Sequence, residues 1–245
     1  MLTLLFLFTS PTETLAAETP EQEAKRLQDE ADKLLGDGRY QDGVEVAKRL
    51  VALREKIHGP EHPEVASSLH LLGTFYLRTG SYDLSEPAYT RALTLRERTL
   101  GVDHPDTART LVKLGELYLR SRDFAKSEPI YLRAQTLLER RTEASADLAI
   151  ALWGLATLYV EDAAYERAEP LLQRALSIQE RAAESLDLAT TLNSLGNMHR
   201  SMGAYTRAKT AYRRQLGYSR EAQRPRTSWH RASAAKSSEH RFRYG

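Results

Sequence analysis

Apolar residues recur along most of this chain at intervals of three and four, with charged residues between them. Leu69, Leu72 and Tyr76 are one example. They fall on one side of a helix, because one turn takes about 3.6 residues. The pattern therefore predicts a chain built mainly of amphipathic helices. The 13 glycines and 9 prolines among 245 residues leave room for long ones.

The helical pattern itself repeats at a nearly constant interval. Aromatic residues recur in steps of 42, 42, 41 and 40, at Tyr40, Tyr82, Phe124, Tyr165 and Tyr205. Small residues recur in matching steps at Gly73, Gly115, Ala156 and Gly196. The stretch Ser-Glu-Pro-Ala-Tyr-Thr-Arg-Ala-Leu from residue 85 returns in similar form from residues 127 and 168. Self-similarity at such a period is typical of repeat proteins.

Each unit is predicted to be a pair of helices. The small residue falls in the first helix, where a Cβ would hold the second helix away. A turn is expected at residues 79–81, since Gly80 allows a positive φ. The second helix is expected from about Asp83 to Thr99, with Tyr89, Ala92, Leu93 and Leu95 facing inward.

The junctions between the early units carry a Gly followed by His-Pro. Gly59 precedes His62-Pro63, and Gly101 precedes His104-Pro105. Gly ends one helix and Pro sets the start of the next. His58 and His62 are four apart, but Gly59 and Pro60 separate them, so we interpret these histidines as loop residues bonded to the backbone rather than as metal ligands.

These residues and their spacing resemble the tetratricopeptide repeat, specifically the 42-residue variety typified by kinesin light chain. The resemblance covers residues 24–222 and is strongest in the second, third and fourth units. It implies an all-α, right-handed α-solenoid of about five helix-turn-helix units, at about 24–59, 60–101, 102–143, 144–183 and 184–222. The divergent first and last units are expected to be end units, because a terminal repeat presents one face to water.

Composition narrows the chemistry. With 35 basic and 33 acidic residues the net charge is +2, which argues against a surface built to hold nucleic acid. The chain has no cysteine, which excludes disulfides, a cysteine nucleophile and thiolate metal sites. We find no nucleotide-binding glycine loop, no nucleophile elbow and no shielded pair of carboxylates. We therefore predict no catalytic residues, no cofactor and no metal, and a protein that is not an enzyme.

The two ends differ from the repeat. Residues 1–23 are interpreted as a signal peptide and linker, or as a collapsed apolar end, since Leu2–Phe8 has the length of a signal core but lacks a basic start. The chain would be secreted or periplasmic in the first case and cytoplasmic in the second. No transmembrane segment is expected, because a span needs about 20 apolar residues. Residues 223–245 are predicted to be a basic disordered tail.

The resemblance implies that extended peptides bind in a concave groove lined by the first helix of each unit. Three positions in each of four units are expected to face the groove. They are His70, Thr74, Leu77, Val112, Glu116, Leu119, Trp153, Thr157, Val160, Asn193, Asn197 and Arg200. Asn can hold a peptide backbone because its amide both donates and accepts hydrogen bonds. Trp153 is either an apolar anchor for a partner or packed against the next unit.

Three functions follow as hypotheses. The first is a noncatalytic scaffold that binds a peptide or partner protein in the groove, with no small-molecule substrate. The second is a regulatory or sensing module of a larger or truncated signalling protein. The third is contact of the basic tail with nucleic acid or an anionic surface, which would weaken steeply with salt. The last unit presents an open face, which also predicts fraying or self-association there.

Overall fold

A computed structural model describes residues 18–140, 145–182 and 185–222 of the chain. The expected signal segment, up to residue 17, and the expected basic tail, 223–245, lie outside the described residues. The described residues form ten α-helices. They are α1 (Pro20–Gly36), α2 (Tyr40–His58), α3 (Pro63–Thr79), α4 (Tyr82–Thr99), α5 (Pro105–Arg120), α6 (Phe124–Glu139), α7 (Ala146–Glu161), α8 (Tyr165–Ala182), α9 (Ser185–Ser201) and α10 (Tyr205–Ala222).

The helices pack in chain order as five antiparallel hairpins. Each helix contacts the one before it and the one after it, and first helices also contact each other, α3 with α5, α5 with α7 and α7 with α9. We number the hairpins one to five and call the contact between consecutive hairpins a joint. No strand occurs among the described residues. This is the α-solenoid of helix pairs that the sequence predicted.

The helix ends follow the expected signals. His62 and His104 each cap a helix, because Nδ1 accepts a hydrogen bond from the backbone N–H two residues later, at 3.2 Å in both cases. Gly80 ends α3 with φ of 78°. The second helix of the second hairpin begins at Tyr82, one residue before the predicted start. These histidines therefore have the structural role that their position indicated.

The small residue of the first helix lets an aromatic ring of the second helix come close. A Cβ added to Gly73 would lie 2.9 Å from the ring of Tyr89, and one added to Gly115 would lie 2.8 Å from the ring of Tyr131. Tyr89 and Tyr131 are fully buried. The recurring glycine is thus required by close packing within the hairpin, as its phase in the repeat predicted.

The apolar residues form a core that runs along the whole array. One cluster joins the first hairpins, around Leu27, Leu50 and Phe75. The other extends from Leu77 through the third and fourth hairpins to Ala211. No hairpin encloses its own core, so the stability of each depends on its neighbours.

Ion pairs connect the second helices across every joint. Glu55 pairs with Arg91 at 2.6 Å, and Glu97 pairs with Arg133 at 2.5 Å. Glu139–Arg174 and Glu180–Arg214 are the corresponding pairs of the third and fourth joints. Each ion pair joins partly exposed side chains, so it contributes at most about 1 kcal/mol to the stability of the fold.

No helix of the described residues has both the length and the apolar character needed to cross a bilayer. The cellular location stays a prediction.

Candidate functional site

The candidate groove lies along the first helices, and the twelve expected residues are distributed three to a helix on α3, α5, α7 and α9. The structure separates them into three groups: residues enclosed by neighbouring helices, residues bonded within their own hairpin, and residues that line open cavities. Their binding role stays a prediction, but their surroundings differ sharply.

Two of the twelve lie in the core rather than on the groove surface. Val112 has no exposed surface, and Leu77 is 3% exposed. Both belong to one apolar cluster that includes Tyr89. Adjacent first helices pack together and cover both side chains. A partner in the groove would not reach Val112 without opening the joint.

A second group is bonded to the tyrosine that lies beneath the groove. The Tyr89 hydroxyl donates to Oγ1 of Thr74 at 3.0 Å, and the Tyr212 hydroxyl donates to Oδ1 of Asn197 at 2.7 Å. The oxygen of Asn197 is therefore used inside the fifth hairpin, and the amide nitrogen is the part left to donate to a ligand. Thr157 is bonded to its own helix, since Oγ1 donates to the carbonyl of Trp153 at 2.9 Å.

Glu116 is a buried carboxylate among cations. It is 8% exposed, and it accepts hydrogen bonds from Lys113 at 2.9 Å and Arg120 at 3.0 Å. Burial acts to raise the pKa of Glu116, but the charge of Lys113, with Arg120 and Arg78, outweighs it and holds the pKa below the usual value. Glu116 is thus ionised at neutral pH, and three cations surround one carboxylate.

His70 is neutral in this setting. Burial, and then the charges of Arg96, Lys113 and Arg109, hold its pKa well below the usual value. Its ring meets the edge of the Tyr89 ring, with centroids 5.4 Å apart. His70 therefore contributes an uncharged aromatic surface to the second hairpin.

Trp153 lies between two open cavities at the middle of the array. One of about 240 Å³ is lined mainly by cations and polar groups from α3, α5, α8 and α9. The other, of about 290 Å³, includes Leu119, Phe124 and Thr157. Trp153, Glu116 and Arg120 line both. The indole is partly exposed and held in place, since Nε1 donates to Oγ of Ser194 at 2.9 Å.

Two buried polar atoms at the first cavity have no hydrogen-bond partner. They are Oε1 of Gln179, whose residue is 2% exposed, and Oγ1 of Thr191, whose residue is fully buried. Buried polar groups are nearly always satisfied, and an unsatisfied one costs about 1–3 kcal/mol. The first cavity thus holds unused hydrogen-bonding capacity beside a net positive charge.

The structure brings Glu116, Leu119, Trp153 and Thr157 together and leaves the others apart. Val160 on α7 and Asn193 on α9 are partly buried, and Arg200 on α9 is exposed. Neither Asn193 nor Arg200 lines the two cavities around Trp153.

Several residues of the first cavity were not predicted from the sequence. Among them are Arg78, Lys113, Arg120, Gln179 and Thr191. Gln179 comes from a second helix, whereas the predicted groove is lined by first helices. The repeat contains a signal for Gln179 and Thr191. Arg54 and Arg96 occupy the repeat position of Gln179 in the first two hairpins, and Ser68 and Thr110 occupy that of Thr191 in the second and third. In the structure these polar residues bond to each other across the joint, Arg54 to Ser68 and Arg96 to Thr110.

Among the described residues there is no group of three or more histidine, aspartate or glutamate side chains that could hold a metal ion. The rings of His58 and His62 stack at 4.4 Å. That geometry is a stacked aromatic contact.

Comparison with solved structures gives the same fold at low sequence identity. BtubC (BKLC) from P. vanneervenii matches with a TM-score of 0.70 and 21% identity, over 86% of this chain and 88% of that one. A Podosopora anserina putative kinesin light chain with nearly identical TPR-like repeats matches at 0.66 and 18%, over 84% and 98%. A Rap protein complexed with Competence and Sporulation Factor matches at 0.73 and 16%, over 83% of this chain but 55% of that one.

Comparison with curated proteins gives no match. Family models described as tetratricopeptide repeat match residues 34–64, 64–140 and 147–218, which is most of the chain. The match covers all but the start of the array, from the end of α1 to α10, and it agrees with the helix pairs described above. The chain belongs to the tetratricopeptide repeat family.

Proposed function

We propose that this protein is a noncatalytic scaffold that holds an extended segment of a partner protein in its concave groove, centred on Trp153. The observation that carries the proposal is the first cavity. It combines a partly exposed indole, an excess of cations and two buried polar atoms without partners. Family and fold support the coarser role, because tetratricopeptide arrays present extended surfaces to other proteins.

The chemistry of the cavity favours a particular kind of segment. Trp153 offers apolar area for a side chain, and aromatic anchors often dominate binding energy. Oε1 of Gln179 and Oγ1 of Thr191 are buried, so a peptide reaches them only if the fourth joint opens. Once reached, Oε1 accepts and Oγ1 both donates and accepts, which suits the backbone of an extended peptide. Arg78, Lys113 and Arg120 outnumber Glu116, which suits a carboxylate on the segment.

One relative provides a parallel and no more. The Rap protein was solved with a factor bound, and it shares the fold over 83% of this chain. At 16% identity the likeness extends to the fold alone, so the ligand of this protein has to be found by experiment.

The test begins with selection of peptides from a random library by the full-length protein. Binding of the enriched peptides is then measured by fluorescence anisotropy against three variants. Arg78→Glu and Trp153→Phe alter the cavity, and Lys56→Glu reverses an exposed charge on α2, outside both cavities around Trp153.

We expect Arg78→Glu to weaken binding at least tenfold, since it replaces an attraction with a repulsion beside Glu116, and Lys56→Glu to change it less than twofold. Equal weakening by both variants would mean nonspecific attraction. Binding that survives both cavity variants would place the site elsewhere and refute the proposal.

The regulatory role in a larger protein and the contact of the basic tail with an anionic surface stay predictions. Self-association through the last hairpin is a separate matter, because it concerns the ends of the array and not the groove.

A further inference from the structure

The two terminal helices of the array carry opposite charge. Helix α1 contains five acidic and three basic residues, whereas α10 contains five basic and one acidic residue. We call the outward side of the first hairpin the head face, represented by Glu23, Glu30 and Asp42. We call the outward side of the last hairpin the tail face, represented by Tyr205, Lys209 and Leu216.

The tail face exposes apolar groups whose counterparts in the internal hairpins are covered, except that the third hairpin has the partly buried Gln135 at the position of Leu216. Leu216 is 55% exposed, while Val51, Leu93 and Leu176 at the same repeat position are 8–9% exposed. Tyr205 is 72% exposed, although its four counterparts are partly buried. The next hairpin covers these positions in the earlier units. Within the described part of the chain, no further hairpin covers the tail face.

Three of the four internal joints use a glutamate that is replaced at the tail face, and the first joint has Val44 at this repeat position. Glu86 accepts from the Tyr118 hydroxyl at 2.8 Å and from Lys126 at 3.2 Å. Glu128 accepts from the Tyr159 hydroxyl at 2.9 Å and lies 3.4 Å from Arg167. Lys209 occupies this repeat position in the last hairpin. A hairpin docked there would have to carry an acid where Lys126 and Arg167 lie.

The head face has that acid. Asp42 occupies the repeat position of Lys126 and Arg167, and its side chain is 56% exposed. It pairs with Arg39 at 2.7 Å, so a docked lysine would share this carboxylate with Arg39. Glu23 and Glu30 stand where Leu188 and Leu195 are buried against the fourth hairpin. An internal joint places an acid on the earlier hairpin and a cation on the later one. The tail face has the cation instead and the head face has the acid, so the two faces are complementary in charge.

Other occupants fit the tail face less well. Residues 223–245 contain six basic residues and one acidic residue, so the chain's own end would be repelled by α10. Two tail faces would bring two basic helices together, which is also unfavourable. The acidic residues on the head face of a second copy would pair with the cations of the tail face.

We propose that the tail face of one copy binds the head face of a second copy, with Lys209 against Asp42 of the second copy in the register of an internal joint. The contact is heterologous, so it extends into open head-to-tail chains instead of closing as a dimer. Exposed charges dominate it, and it therefore weakens as salt rises.

One pair opposes the contact. In the fourth joint Glu180 pairs with Arg214. By repeat position, Arg220 of the last hairpin corresponds to Glu180, and Arg49 of the first hairpin corresponds to Arg214, so the docked copies would bring two arginines together. Arg49 lies 3.5 Å from Glu23, which offsets part of its charge. This like-charge pair keeps the association weak, and it provides a test of the register.

The experiment is sedimentation velocity of the full-length protein from micromolar to near-millimolar concentration, at about 20 mM and 300 mM salt. We expect the weight-average sedimentation coefficient to rise with concentration at low salt and to fall towards that of a monomer at high salt, because the screening length shortens. A wild-type protein that stays monomeric throughout at low salt overturns the proposal.

Charge reversals then identify the pair. Lys209→Glu and Asp42→Lys are each expected to weaken self-association about tenfold, since each turns an attraction into a repulsion. The double variant, with both changes in one chain, should recover it. An equimolar mixture of the two single variants should also recover it, because the glutamate introduced into one tail face then meets the lysine introduced into the other head face.

Two further variants separate this contact from general stickiness. Arg220→Glu should strengthen self-association several-fold by removing the like-charge pair, and Lys56→Glu should leave it unchanged. Association that persists in Lys209→Glu and is not enhanced by Arg220→Glu refutes the assigned register. Neither outcome depends on the groove, so peptide binding and self-association can fail separately.

Discussion

The first two joints and the last two joints make the same fold with different chemistry. In the first joint Arg54 donates to Oγ of Ser68 at 2.8 Å, and in the second Arg96 donates to Oγ1 of Thr110 at 2.6 Å. At the same repeat positions the third joint has Leu138 and Ala151, both buried. The fourth joint has Gln179 and Thr191, which leave two buried polar atoms unpaired.

The comparison shows what the repeat requires and what it allows. Every joint buries these positions fully or, for Arg54, mostly, so close contact is required and a particular polar bond is not. Burial lowers the pKa of Arg54 and of Arg96, which is the expected cost of placing a cation there. The early joints offset most of that cost with hydrogen bonds, including Arg96 to the carbonyl of Asp106 at 2.9 Å, although Nε of Arg96 is itself buried without a partner. The late joints instead have an apolar contact or an open cavity.

The largest effect on stability is expected where the cation is buried. Arg96→Ala removes a side chain that is 4% exposed, with its two hydrogen bonds and its packing. The free energy of unfolding should fall by about 3 kcal/mol. Gln179→Ala is the matched change in the fourth joint, and it should cost about 1 kcal/mol less, because its Oε1 makes no bond. Urea denaturation measures both, and equal losses would contradict the difference between the joints.

A somewhat smaller loss is expected from crowding the third joint. A Cβ added to Gly154 would lie 2.3 Å from the ring of Tyr131, which is fully buried and cannot easily move. Gly154→Ala should destabilise the protein by about 2 kcal/mol.

Gly217 in α10 provides the control for Gly154, because nothing lies within 4 Å of its added Cβ. Gly217→Ala should stabilise the protein by up to about 1 kcal/mol. A neutral Gly154→Ala in thermal or urea unfolding would mean that the third joint is loosely packed.

The helix caps provide a finer comparison. His104 caps α5 in the second joint, and Ser145 caps α7 in the third, where its Oγ accepts from the N–H of Leu148 at 3.2 Å. Replacement of either residue by Ala should cost about 1 kcal/mol, and His104→Asn should restore most of the loss. If His104→Asn is as unstable as His104→Ala in chemical denaturation, the imidazole acts by packing rather than as a cap.

Much of the fold followed from the sequence because the same positions do the same task in each unit. The step from Gly73 to Gly115 predicted close packing, and the rings of Tyr89 and Tyr131 fill that space. The expected inward residues of α4, among them Ala92, are buried. Local helix signals and a repeated apolar stripe agree here, which makes the prediction robust.

The candidate site followed only in part. Trp153 was singled out, and it does line both cavities. Spacing alone could not show that Val112 is enclosed by the adjacent first helix, or that the Tyr212 hydroxyl occupies the oxygen of Asn197. Both depend on distances across a joint or within a hairpin, which a periodic pattern does not contain.

The smallest change in stability is expected at Gln179, and it is the most informative about the groove. Gln179→Leu replaces a buried amide whose oxygen has no partner with an apolar group of similar size. The free energy of unfolding should stay within about 1 kcal/mol of the wild type, because no hydrogen bond of that oxygen is lost. Binding of groove-selected peptides should nevertheless weaken several-fold, since the acceptor for the peptide backbone is gone. A variant that is strongly destabilised would show that Gln179 supports the fourth joint, as Arg96 supports the second, and the late joints would then not differ from the early ones.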